Sequence, residues 1–459
     1  MTRLSALDAS FLAVERDDAP MHVGWAATFD PPARDGDAPP CDFESLRAHL
    51  AARLGRAPRY RQKLAPVPLG LHEPVWVDDP AFDVGAHLRR APGTDLDAIV
   101  DGILSTPLPR DRPLWEIWIA DELPDAGFAL IGKMHHCMVD GAAVAELGRR
   151  VLDAQPEGGA PRSAEPPPPA PVPSRRERLA RGALDRALDG ARLVTMPVQL
   201  AASPRRVAAL PGLARTAAHT LLPPAPGSSL NVAGAGARRH VRVSRPLDEL
   251  RAVRRRFGVT PNDVVPAACT GALRRRAERR GEVPQRLKAM VPADVRTAED
   301  DAASGNRITF VFFELPCDEP DPVARLEAIG AVTDQRRRNG DAEAMDAAFG
   351  VLALTPPPVQ RALAHAFAHP RLFNITISSV AGPAVPRYIR GCRLREVFSA
   401  VPLAGRHALS IGVVMVAGRV CFGLCADAAA LQDADEVGAD VEASFDELLA
   451  AAGAQSPSP

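Results

Sequence analysis

Residues 156–174, PEGGAPRSAEPPPPAPVPS, split the chain and decide what it can fold into. Each proline fixes φ and removes a backbone donor, and no apolar residue recurs here at a helical or strand period. The stretch reads as an extended, partly polyproline linker. For 459 residues, length alone suggests about three domains, and two fit as well. Two halves of about 200 residues each are large enough to bury cores without metal or disulfide staples.

Both halves mix strand and helix signals. In the first, 21–30 (MHVGWAATFD), 115–120 (WEIWIA) and 128–134 (FALIGKM) read as strands. Helical spacing covers 43–54, 96–104 and about 142–152. In the second, 246–257, 261–279, 321–338, about 344–368 and 435–451 read as helices. Strands are predicted at 308–316 and 372–380, with a hairpin of 409–416 and 419–425 around Ala417-Gly418. This predicts an α/β chain of mixed α+β character with domains at 1–155 and 236–459 and a crossover at 156–235.

Within the crossover, 175–218 is Arg-rich and reads as helix broken near Pro197, Pro204 and Pro211. Its first part sets Leu179, Ala183, Ala187 and Ala191 in one stripe, with Leu184 and Leu188 beside it. Arg175, Arg176, Arg178, Arg181, Arg186 and Arg192 supply the charge. Two readings stand: a connecting helix lying over a domain, or an interfacial helix resting on lipid.

Lys+Arg 55 against Asp+Glu 56 gives a net charge of −1, so no global field draws the chain to nucleic acid. Seven dispersed cysteines with no CxxC spacing predict reduced thiols in a cytoplasmic protein. Cys421 and Cys425 share one strand face and read as core. No signal-peptide core and no transmembrane run is present, so peripheral contact is the one membrane association expected.

The segment that carries chemistry is Lys133-Met-His-His-Cys-Met-Val-Asp-Gly141. A buried strand ends at two adjacent histidines, which strand geometry points to opposite faces. A neutral imidazole accepts a proton at physiological pH. Asp140 reads either as the N-cap of the following helix or as the group that fixes the loop beside the histidines. No cluster of further ligands supports a zinc site.

HHCMVDGAA resembles the HHxxxDG motif of the bacterial wax ester synthase/diacylglycerol acyltransferase family, within the wider CoA-dependent acyltransferases. Further segments match in order: 4–24 (LSALDASFLAVERDDAPMHVG), 107–116 (PLPRDRPLWE), 258–268 (GVTPNDVVPAA), 291–296 (VPADVR), 305–310 (GNRITF) and 378–383 (SSVAGP). The resemblance spans roughly 4–430. Departures are Pro109 where the family has Asp, Pro261 inside the Asn-Asp segment, and Ser379 and Ala381 for Asn and Pro.

The resemblance implies two similarly folded halves with a tunnel between them, acyl-CoA as donor substrate, and a long-chain alcohol or diacylglycerol as acceptor. It implies no metal or redox cofactor. It makes His136 the general base, His135 a loop support, and Asp140 a structural group paired with an Arg of the second half, for which Arg296 is the candidate. Asn262 is implied as an oxyanion donor, against its alternative as N-cap of a helix beginning near Asp263. Gly141 permits the sharp turn into the helix. Cys137 reads as a small packing residue, and Trp115 as core or tunnel wall. The competing readings are a non-catalytic lipid- or acyl-CoA-binding protein of the same fold and an acyltransferase with a different acceptor.

Overall fold

The structure, a computed structural model, describes residues 2–31, 41–55, 57–124, 127–138, 141–158, 168–201, 204–295 and 308–453. In chain order the first half contains β1 (Thr2–Arg3), α1 (Ala6–Val14), β2 (His22–Phe29), α2 (Phe43–Leu54), β3 (Gln62–Ala65), β4 (Val75–Asp78) and β5 (Leu88–Arg90). It continues with α3 (Leu96–Leu104), β6 (Trp115–Ala120), β7 (Phe128–His135) and α4 (Gly141–Val151). The crossover is α5 (Arg175–Ala201) and α6 (Pro204–Leu221). The second half has β8 (Arg238–Pro246), α7 (Leu247–Phe257), α8 (Pro261–Arg279), β9 (Leu287–Asp294), β10 (Ile308–Leu315) and α9 (Pro322–Arg338). After these come α10 (Asp341–Leu352), α11 (Pro357–Phe367), β11 (Ile375–Ala381), β12 (Tyr388–Ile389), β13 (Cys392–Ala400), β14 (Leu409–Val416), β15 (Arg419–Asp427) and α12 (Ala434–Ala451).

Two mixed sheets of six strands dominate. Their orders are β12-β13-β2-β7-β6-β5 and β10-β9-β11-β14-β15-β8, beside a small sheet β1-β4-β3. The second sheet is covered by α8 and α12, whose Val264, Val265, Ala268, Val437, Val441 and Phe445 are fully buried. Each half also buries one of the three lysines at the end of a helix. Lys133 donates to the Ile103 and Thr106 carbonyls at the C-terminal end of α3, and Lys288 to those of Thr220 and Pro223 at the C-terminal end of α6. Three compact donors on orphan carbonyls suit an ammonium better than a forked guanidinium.

The halves are not sequential blocks. β12 and β13 belong to the C-terminal stretch, yet β13 pairs antiparallel with β2 and completes the first sheet. A boundary at 236 therefore describes the second sheet but misses this returning strand. Where β13 passes the second sheet, Gly412 and Gly423 face each other across β14 and β15 and receive Ser399.

Other differences have local causes. The helix expected over 344–368 is two, because Pro356, Pro357 and Pro358 end α10 and restart the chain as α11. Pro197 and Pro211 sit inside α5 and α6 without ending them; α5 runs to Ala201 and α6 starts at Pro204, and the two residues between lie outside the described residues. The Ala417-Gly418 turn has positive φ at both residues, as a tight hairpin requires. Cys421 and Cys425 are buried, in agreement with a core role.

Candidate active site

β7 is buried on both faces because it is central in its sheet, and it delivers the two histidines to the sheet's end. β2 runs antiparallel to it in a register that sets His22 opposite His135. One residue further, the His136 N–H donates to the Met21 carbonyl at 2.8 Å. The Pro20–Gly24 segment is thus the other wall of the histidine motif.

The two histidines differ sharply. His135 is buried, 1% exposed. Its Nδ1 accepts the Cys137 N–H at 3.1 Å, which leaves the ring proton on Nε2, 3.3 Å from the Glu15 carboxylate. Burial, helped by the Arg110 guanidinium 3.4 Å away, lowers its pKa to about 3. It is a neutral, fully engaged strut. His136 is half-buried, and its ring lies flat on Phe11 of α1, with centroids 3.8 Å apart and planes 8° apart. Stacking uses the ring's face and directs its nitrogens sideways.

Glu15 ties this corner together. It accepts the Met21 N–H at 3.0 Å and forms an ion pair with Arg110 as well as meeting His135. Sequence reasoning assigned no role to Phe11, Glu15 or Arg110. Their signal was position: all three lie in the 4–24 and 107–116 segments that carried the resemblance. Glu15→Ala removes the acceptor of a buried N–H and the partner of His135. We expect it to cost about 1–3 kcal/mol in a urea melt. In Glu15→Gln the amide oxygen still accepts both bonds, and less than half of that loss is expected.

The remaining expected residues distribute as follows. Asp140 and Arg296 lie outside the described residues. Gly141 opens α4, and the turn leading into it also falls outside them. Asn262 stands exposed on the first turn of α8 and does not cap it. The cap is Thr260, in a capping box with Asp263, whose carboxylate accepts from the Thr260 N–H at 2.7 Å. Pro261 occupies the first helical position, where its missing donor costs nothing. Cys137 is 2% exposed and burial pushes its thiol up, against any nucleophilic role. Trp115 is core: fully buried, it stacks on His87 and donates to the Tyr60 carbonyl at 2.8 Å.

Buried neutral histidines also set an acid limit. Burial holds His22 and His135 at about 3 and His240 at about 4. Above the ordinary value of 6.5, folded and unfolded forms bind the same protons. Below it the unfolded chain takes protons that the folded one refuses, so stability falls with pH. At about pH 5 the loss is roughly 2 kcal/mol for each such histidine. The urea midpoint should drop between neutral pH and about pH 5, and a flat midpoint would refute it.

Comparison with known proteins places the chain among acyltransferases. The wax ester synthase/diacylglycerol acyltransferase catalytic domain matches residues 4–265, and the C-terminal domain of the same family matches 304–449. A putative diacylglycerol O-acyltransferase of Mycobacterium tuberculosis is 33% identical over 474 residues, covering 99% of this chain and 98% of that protein. The solved wax ester synthase/diacylglycerol acyltransferase from Marinobacter aquaeolei VT8 superposes with a TM-score of 0.71 at 25% identity, covering 99% of this chain and 100% of the other. The starter condensation domain of rhizomide synthetase, solved with C8-CoA and Leu-SNAC, shares the fold with a TM-score of 0.58 at 16% identity, over 99% and 95% of the two chains.

Proposed function

The chain belongs to the wax ester synthase/diacylglycerol acyltransferase family, and on that premise we propose that His136 is the general base that activates a diacylglycerol or long-chain alcohol for attack on acyl-CoA. Acyl-CoA-dependent acyl transfer follows from the family. The choice of His136 is supported by one contrast: His135 is fully buried with both ring nitrogens committed inside the fold, whereas His136 is half-buried at the strand end, held through its backbone N–H and stacked by its ring face.

An alcohol is a weak nucleophile because its pKa lies far above 7. As its oxygen attacks the thioester carbonyl, His136 takes the hydroxyl proton and a C–O bond forms. The tetrahedral oxyanion then collapses, the C–S bond breaks, and the proton passes from His136 to the CoA sulfur. Asn262 is the proposed oxyanion donor; Thr260 and Asp263 already do the capping, so its amide is not needed there. Asp140, paired with an Arg of the second half such as Arg296, would hold the loop, and Gly141 its turn. The acyl chain and the acceptor would meet in a tunnel between the halves, entered from different sides. No metal or redox cofactor takes part in this scheme. An acceptor dissolved in lipid also places the enzyme in peripheral contact with a membrane or lipid droplet. Among the described residues no helix is long and apolar enough to cross a membrane.

The test is CoA release from palmitoyl-CoA with diacylglycerol or a long-chain alcohol, matched against ester product. Ester formed in step with CoA, and only with acceptor present, supports the proposal. CoA release without ester would make the protein a thioesterase. Acyl-CoA binding with no release under either acceptor would make it a carrier.

A further inference from the structure

Helix α5 is held on the protein by a mixed face. Leu179, Gly182 and Leu193 lie on it, and each charged group among them is anchored. Arg178 donates to the Pro66 and Pro173 carbonyls at 3.2 and 2.8 Å, and Arg186 to those of Leu354 and Thr355 at 2.6 and 2.8 Å. Asp189, 1% exposed, accepts from Arg3 at 2.6 Å and meets His72 at 3.2 Å. Gly182 lets the helix lie directly on Val67. These contacts fix the rotation of the helix about its axis.

The opposite face is apolar. Ala180, Ala183, Leu184, Ala187, Leu188, Ala191 and Val194 recur every three or four residues and are all exposed, Leu184 to 51%, Leu188 to 47% and Val194 to 77%. A single exposed Leu is ordinary; an unbroken stripe about 20 Å long is not. Arg175, Arg176, Arg181 and Arg192 are exposed along it, against one exposed carboxylate, Glu177. The carbonyls that hold Arg186 lie just before α11, whose Val359 and Leu363 are exposed as well.

We propose that α5 is the lipid-docking helix of this enzyme. Its Leu184–Leu188–Val194 face lies at the headgroup–acyl boundary of an anionic lipid surface, and its arginines meet the phosphates. The choice of lipid as occupant rests on the acyltransferase reading, in which the acceptor is dissolved in a lipid phase. The helix geometry does not.

The test is flotation of the full chain with vesicles of phosphatidylcholine, alone or mixed with phosphatidylglycerol. Wild type is expected to bind the mixed vesicles more tightly, with affinity falling as salt rises. Leu184→Glu with Leu188→Glu should weaken that binding by at least about tenfold, since charges enter the apolar layer. Leu184→Ala with Leu188→Ala should weaken it less. Arg176→Gln, Arg181→Gln and Arg192→Gln together should abolish the preference for phosphatidylglycerol. Leu184 and Leu188 are exposed, so unchanged thermal melting is expected of their variants; Arg181 and Arg192 pair with Asp185 and Asp189, so the melting of the triple variant is measured beside its binding. The inference is overturned if wild type floats with neither vesicle, or if the double Glu variant floats like wild type. It is overturned equally if wild type sediments as a dimer that the double Glu variant dissociates, because the face then covers a second copy. Vesicle binding needs no turnover, so binding without ester synthesis sinks the acyltransferase reading alone. Ester synthesis on a water-soluble alcohol without vesicle binding sinks only the docking helix.

Discussion

His136→Ala is expected to lower the acceptor-dependent rate by about 10²–10⁴-fold, the range for loss of a positioned proton acceptor. The fold should survive. The backbone bond to Met21 does not need the side chain, and the stacking on Phe11 contributes about 0.5–1.5 kcal/mol. The informative partner is His135→Ala. That change empties a buried site and leaves the Cys137 N–H and Glu15 without their ring partner, so its main effect should be on stability. A folded His136→Ala protein that keeps its ester-forming rate would show that the proton goes elsewhere. Activity lost only in step with unfolding would reduce His136 to a structural residue.

Gly423→Ala should be the most damaging small substitution in the sheets. A Cβ at this position would stand 2.1 Å from the Ser399 carbonyl oxygen and 2.9 Å from the His240 ring. The first of these is backbone of β13, which cannot swing aside as a side chain can. Overpacking against fixed atoms typically costs about 1–3 kcal/mol, and this contact belongs at or above the upper end. Gly412→Ala, across the pair, meets the Ser399 Cβ and Oγ at 2.9 Å and should cost less. Chemical denaturation of both variants measures the order. A Gly423→Ala protein as stable as wild type would mean that β13 does not press on the second sheet.

Short-range patterns carried most of the elements. FALIGKM is apolar but for Lys133, and buried throughout, because a central strand has no wet face, and TPND marks a helix start because Thr and Asp satisfy each other's backbone donors. The capping group at that start was legible in type but misplaced by two residues: Thr260 caps, and Asn262 does not. β13, CRLREVFSA, was missed because its charged alternate positions look like surface, and only its partner β2, far away in sequence, makes it a strand. The histidine pair announced itself. What separates a strut from a candidate base did not, since it depends on Glu15, Arg110 and Phe11 arriving from two other segments. No local periodicity encodes such a meeting.

The returning strand also has a consequence for how the protein is made. β2 leaves the ribosome about 370 residues before the β13 residues that pair with it. At roughly 5–20 residues per second, that is about 20–70 s of synthesis. Throughout this time the nascent first half carries an unpaired sheet edge along Gly24–Phe29, next to the segment that braces His136. A chain halted anywhere before Cys392 keeps that edge open for good. The histidine corner is therefore among the first parts translated, and the sheet it stands on is among the last to be finished.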